Sequence, residues 1–256
     1  MSAAQLEIWR IAKRFHGVVA VDQVSLTARA GEVTGLIGPN GSGKTTTMNM
    51  VTGLYPADGG AIRLDGIDIS SLHPHRIAAL GVARTFQNIR LLGDQTTLQN
   101  VMLGAHRHQG INLLEVLLCS PRAGQAEARE RAYCEKLLAL IGIPHLRDAV
   151  VGGLSYGDRR RVEIARALAT KPRLLLLDEP AAGMNASEKR NLADLVLAIC
   201  AMGITVLLIE HDIEFVARVS NHLVVLNFGR EIAEGTPDEV RAMPAVIEAY
   251  LGTEDA

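Results

Sequence analysis

Apolar and polar residues alternate in short runs over residues 1–30, as in Leu6–Ile11 (LEIWRI) and Val21–Ala30 (VDQVSLTARA), and Gly31 closes the stretch. A period of two predicts half-buried strands joined by turns. Glu32–Gly38 (EVTGLIG) reads as a buried strand whose glycine-rich end opens into a helix from Lys44, stopped at Gly53. Tyr55–Ile69 (YPADGGAIRLDGIDI) supplies turn residues around a short strand pair. From Pro74 to Leu154 the spacing becomes helical, in RIAALG, LQNVMLGAHRH and the amphipathic AEARERAYCEKLLALIG. Helix and strand then alternate: RRVEIARALA, RLLLLDEP, EKRNLADLVLAICAMG, TVLLIEHD, a helix through Val216, HLVVLNFG, and a helical tail from Asp238 to Gly252.

Apolar strands set between helices imply a parallel sheet covered on both faces. The expected fold is α/β, one domain over 1–256. Its core comprises 1–88 and 162–256 with a small N-terminal antiparallel β region, and a helical subdomain is inserted at 89–161.

Composition narrows the class. The 256 residues are 48% hydrophobic and 21% charged, which excludes a disordered chain and allows a sizeable core. A net charge of -2 supplies no global basic field, and no nucleic-acid partner is expected. Cys119, Cys134 and Cys200 are an odd set without metal-ligand spacing, so a disulfide framework is not expected and a reducing cytosol fits. The first residues carry an acid and lack the apolar core of a signal peptide. The longest apolar runs, Ile111–Cys119 and Thr205–Ile209, suit buried elements; none approaches the roughly 18 residues of a membrane span. A membrane is therefore reached only by docking to something else. His73 with His75 and His106 with His108 lie close in sequence, but no acid or thiol completes a metal set. Trp9 reads as a packing residue of the first strand pair.

Gly38–Thr46 (GPNGSGKTT) satisfies GxxxxGK[ST] in the required context, a buried strand before it and a helix after it. The loop Gly38, Pro39, Asn40, Gly41, Ser42, Gly43 can wrap so that backbone N–H groups point at phosphate oxygens. The helix N-terminus carrying Thr46 adds a favourable dipole end. Lys44 supplies a point charge to the outer phosphates and Thr45 a hydroxyl to magnesium. Four leucines precede Asp178 and Glu179. An acid at the end of a buried strand is the other half of such a site: Asp178 can hold magnesium and Glu179 can polarise an attacking water. No base-reading motif of a GTP switch protein is present, so ATP is favoured. The core reads as a P-loop NTPase of the RecA-like kind.

GPNGSGKTT, Thr85–Gln87 (TFQ), Leu154–Asp158 (LSYGD), LLLLDEP and Ile209–Asp212 (IEHD) together resemble the ATP-binding subunits of ABC transporters in order and approximate spacing, across nearly the whole chain. The resemblance implies that Gln87 is a magnesium and water ligand in the loop joining core to helical subdomain. It makes His211 the switch histidine, donating to the terminal phosphate and bracing Glu179, and Phe15 the aromatic that stacks on adenine. Asn185 stands where the family usually has an aspartate; it keeps an acceptor and lacks the charge.

Ser155 suits the N-cap of the helix running through Arg159, Glu163 and Arg166, with Leu154 as a staple. Its free N–H groups form an anion site. In the family that site faces a second nucleotide, held by a partner subunit packed head to tail, so Ser155 and Gly157 are implied to meet the partner's terminal phosphate. Tyr156 and Asp158 replace the usual glycine and glutamine; Tyr156 is expected to point away from phosphate and Asp158 to lie on the capping side.

LSYGDRRRVEIARAL, RTFQNIRLL, LLLLDEPAAGMN, LLIEHD and the ending AYLG look most like the ATPase subunit of branched-chain amino-acid importers. That resemblance implies ATP and magnesium as cofactors and two membrane permease subunits as partners. It also implies a second ATPase subunit, a paralogue or the chain itself, and an extracytoplasmic solute-binding protein reached indirectly. The chain would lie peripherally on the cytoplasmic face of the cell membrane. Alternatives within the family are ATPases of urea or amide importers and of lipopolysaccharide export. A different class is a soluble ABC ATPase of DNA repair or translation, which usually carries a coiled-coil insertion or a second ATPase domain. A nucleotide-binding pseudo-enzyme is disfavoured by intact Lys44, Asp178, Glu179 and His211.

Overall fold

The period-two segment forms β1 (Leu6–Phe15) and β2 (Val18–Ala28), paired antiparallel. Their register slips between Ile8 and Ile11, where Arg10 takes a φ of 45°, and the neighbours Trp9 and Arg10 both face outward. Trp9 is therefore 62% exposed rather than packed in the core, with the Arg10 guanidinium 5.9 Å from its ring. The computed structural model describes residues 3–105 and 121–251. The His106–His108 pair, the run Ile111–Cys119 and Cys119 lie outside these residues.

Beyond β2 the chain forms β3 (Val33–Ile37), α1 (Lys44–Val51), β4 (Gly59–Leu64), β5 (Ile67–Asp68), α2 (Pro74–Ala79) and β6 (Val82–Arg84). It continues through α3 (Thr97–Ala105), α4 (Pro121–Leu140) and α5 (Tyr156–Ala169). Next come β7 (Leu174–Asp178), α6 (Ala186–Ala201), β8 (Thr205–Ile209), α7 (Ile213–Val219) and β9 (His222–Asn227). β10 (Arg230–Gly235), α8 (Pro237–Arg241) and α9 (Pro244–Leu251) end the described chain.

Two compact units result, Met1–Arg84 with Arg173–Ala256, and Thr85–Pro172. The boundary expected between 161 and 162 falls inside α5, an unbroken helix that belongs wholly to the second unit.

The first unit holds two sheets, β2-β1-β4-β5 and β10-β9-β3-β8-β7-β6. The second of these is mixed, not all parallel: β10 runs antiparallel to β9, while β9, β3, β8, β7 and β6 are parallel. The cause is the two-residue turn Phe228–Gly229, whose φ values of 46° and 78° are the pair of left-handed conformations that closes a tight hairpin. β6 lies in a stretch that reads as helix; three residues are too few to display a period, and Val82–Arg84 are strand because they pair with Leu174–Leu176. Leu6, Ile11 and Leu26 of the outer sheet, Met48 of α1, and Leu176, Leu207 and Val224 of the core sheet join in one buried cluster. β3, β7 and β8 are buried at every position, as the near-continuous apolar runs of a covered parallel sheet require.

In the second unit α3 packs on α5, and a β-carbon at Gly104 would lie 2.1 Å from the Arg166 carbonyl oxygen. Glycine there permits the two backbones to approach.

Candidate functional site

Open parallel sheets bind ligands beyond the carboxyl ends of their strands. Ile209 of β8 pairs with both Leu36 of β3 and Asp178 of β7. That register brings Gly38, Glu179 and Glu210 to the same edge of the sheet.

The loop from Gly38 to Gly43 is built for close backbone approach. A β-carbon at Gly38, where φ is 147°, would sit 2.0 Å from the Leu226 carbonyl oxygen; at Gly43, where φ is 101°, it would sit 2.6 Å from that of Ala20. Gly43 caps α1 without a side-chain bond, and the first turn holds no acid. That turn carries no carboxylate of its own, which leaves the dipole end suited to an anion. Lys44 is 5% exposed; its Nζ donates to the carbonyl oxygens of Gly38 at 2.6 Å and Pro39 at 2.8 Å. Burial lowers its pKa, and the nearby charges of Glu179, Asp178 and Glu210 oppose that fall.

Asp178 is buried, and its Oδ2 accepts from Arg84 Nη2 at 2.8 Å. Glu179 follows with a φ of 45° and donates its N–H to the Ile209 carbonyl at 2.9 Å. A left-handed glutamate costs of order 1–3 kcal/mol and is typical of positions where the surroundings force a side chain into a set direction. His211 is 56% exposed at its side chain, and its Nδ1 lies 3.7 Å from Glu210 Oε2. Glu210, 1% exposed, accepts from the N–H of Ala181 at 2.7 Å and of His211 at 3.2 Å, so it ties the loop after Glu179 to the histidine. Burial raises its pKa, and those two N–H groups counteract it. Phe15 is half-buried, edge-on to Tyr55 at 5.2 Å, with Lys13 Nζ 5.6 Å from its ring. Thr45 and Asn40 are exposed.

In the second unit Ser155 is the N-cap of α5: its Oγ accepts from the Asp158 N–H at 3.1 Å and donates to Asp158 Oδ2 at 2.8 Å. Asp158 thus serves the cap. Tyr156 turns its hydroxyl to Arg160 Nη2 at 3.1 Å. The fully buried Arg160 also donates to the carbonyl oxygens of Phe86 at 2.6 Å and Gln87 at 2.9 Å, and to Glu163 Oε2 at 2.7 Å. One guanidinium therefore fastens the TFQ segment to the LSYGD helix. Asn185 is occupied locally, in a capping box with Glu188 at the start of α6.

Residues 21–182 match the family model described as ABC transporter, and 230–256 match that of the branched-chain amino acid ATP-binding cassette transporter. The chain belongs to the ABC transporter family. It is 44% identical to the high-affinity branched-chain amino acid transport ATP-binding protein BraF of Pseudomonas aeruginosa, over 98% of this chain and 99% of that protein. To LivG of Salmonella typhimurium, of the same description, it is 42% identical over 98% and 99%. A solved ATP-binding cassette of an ABC transporter in its ADP conformation superposes with a TM-score of 0.85 at 35% identity, covering 98% of this chain and 100% of that one.

As an ABC transporter ATPase the chain needs an anion cradle and hard oxygen donors, and it has both. The Gly38–Gly43 backbone and the buried Lys44 suit polyphosphate, and the Thr45 hydroxyl and Asp178 carboxylate are oxygen ligands of the kind magnesium takes. No role for Arg84, Arg160 or Glu210 is visible in the sequence. Only burial distinguishes Glu210, since an acid ending an apolar strand otherwise looks like a solvated loop residue. Tyr250 is also of this kind: its hydroxyl lies against the Gly38 backbone, and burial pushes its pKa to about 12. His73 and His75 stack on each other at 5.9 Å, and no cluster of three or more metal-type ligands occurs among the described residues.

Proposed function

We propose that this ATPase powers import of branched-chain or related amino acids through partner permeases. The observation that carries the reading is the match of its last residues, 230–256, to the branched-chain amino acid cassette model, joined to full-length likeness to BraF and LivG. Lys44 binds the outer phosphates of ATP, trading loop carbonyls for phosphate oxygens. Phe15 stacks on the base. Glu179 accepts a proton of the attacking water, and His211 donates to the terminal phosphate. Thr45 and Asp178 hold magnesium, which when bound neutralises charge on the transferred phosphoryl group.

Ser155 and Gly157, at the N-terminus of a 14-residue helix, face the terminal phosphate held by a second ATPase subunit packed head to tail. Binding of two ATP closes that pair, and hydrolysis reopens it. The subunit works against two permeases from the cytoplasmic face, and no described helix is long and apolar enough to cross a membrane. An extracytoplasmic binding protein delivers the solute. In a strain whose own copy is replaced by Lys44→Ala, uptake of labelled leucine, isoleucine and valine is expected to fall to background. Undiminished uptake of all three, with loss of urea or amide uptake instead, overturns the assignment.

A further inference from the structure

Arg84 is the last residue of the first unit and side-chain buried, 6% exposed, against an Asp178 side chain of 3%. Its guanidinium makes contact in two directions. Nη2 donates to Asp178 Oδ2 at 2.8 Å; Nη1 donates to Asn49 Oδ1 at 2.7 Å and Thr52 Oγ1 at 3.2 Å. Asn49 lies in α1 and Thr52 caps its end, so the helix that begins at the phosphate loop is fastened at its far end to the carboxylate of β7. The sheet register provides the placement: Arg84 pairs with Leu176, and Asp178, two residues on, projects from the same face.

We infer that Arg84 is a positioning residue for magnesium: by fixing Oδ2 of Asp178 and tying it to α1, it sets the orientation in which the carboxylate meets the metal shell. A carboxylate accepts at about four lone-pair sites, so an arginine and a cation, or a cation's water, can share one. Such outer partners orient metal ligands, and a planar fork can hold two acceptors at a fixed angle where an ammonium cannot. The inference rests on the ATP chemistry of the family and is independent of which solute is moved.

Arg84→Lys keeps the charge and loses the fork. Binding of a non-hydrolysable ATP analogue to the full chain is measured by calorimetry, in EDTA and across a magnesium titration. The half-saturating magnesium concentration is expected to rise by about tenfold, the lower end of what losing an outer partner costs a metal site. Affinity in EDTA is expected to stay unchanged, because the loop and Lys44 are intact. Unchanged magnesium dependence overturns the inference, and so does an equal loss with and without the metal, which is what a merely structural arginine would give. Asn49→Ala keeps the ion pair and removes one anchor. It should shift magnesium dependence in the same direction by a smaller factor, and no shift in that variant also counts against the proposal.

Discussion

Lys44 and Glu210 are held by different physical devices. Lys44 is buried against its own loop, and three acids oppose the pKa fall that burial imposes, so removing the ammonium leaves Asp178 and Glu179 with less opposing charge. Glu210 shows the opposite balance, a buried acid whose pKa is raised by desolvation and restrained by two N–H donors. Glu179, Lys44, His211 and Lys189 are the charged or titratable groups that act on it. An acid with a raised folded-state pKa contributes stability that is present below its unfolded value and lost as pH climbs through the folded one. The stability of the wild-type chain relative to Glu210→Gln, from urea unfolding at a series of pH values, is therefore expected to decline from pH 4.5 upward. A difference that is flat or rises with pH contradicts this assignment. Lys44, Asp178 and Glu179 stand out in the sequence because phosphate-loop chemistry fixes their context, and His211 stands out through the family resemblance. Glu210, Arg84 and Arg160 do not, since their roles arise from contacts across 29 to 94 positions of sequence.

Elements were legible wherever a period had room to repeat. β1, β2, β3, β7 and β8 follow their apolar patterns, while β6 is too short and β10 depends on a turn, Phe228–Gly229, without the usual Asn-Gly signal. Caps were legible in part: Ser155 is an N-cap as its sequence position suggests, whereas Asn185 acts through a box with Glu188. Asn185→Ala should lower stability by about 1 kcal/mol, the usual cost of losing such a cap, in chemical denaturation. Ser155→Ala should cost a similar amount at its own helix. A loss well under half of that for Asn185 would mean that the box contributes little. Ser155→Arg adds a bulky cation where the partner's phosphate is expected, and should suppress ATP hydrolysis by the assembled transporter. Normal turnover in that assembly would count against a composite site.

At the scale of the molecule, one unit carries the phosphate loop, Asp178 at the end of β7, Glu179 after it and the histidine after β8, and the other carries Gln87 and the capped helix of Ser155 and Gly157. The family fold could be read because five motifs are spread over nearly the whole chain. The expected boundary at 161/162 carries no break in the helical pattern, because α5 runs unbroken from Tyr156 to Ala169 across it. ATP turnover by this chain is expected to run through Glu179. Its most direct test measures ATP affinity and magnesium-dependent hydrolysis side by side in Glu179→Gln. The expected result is ATP binding retained and turnover reduced by about a hundredfold or more, the range for loss of a general base; undiminished hydrolysis in that variant would contradict it.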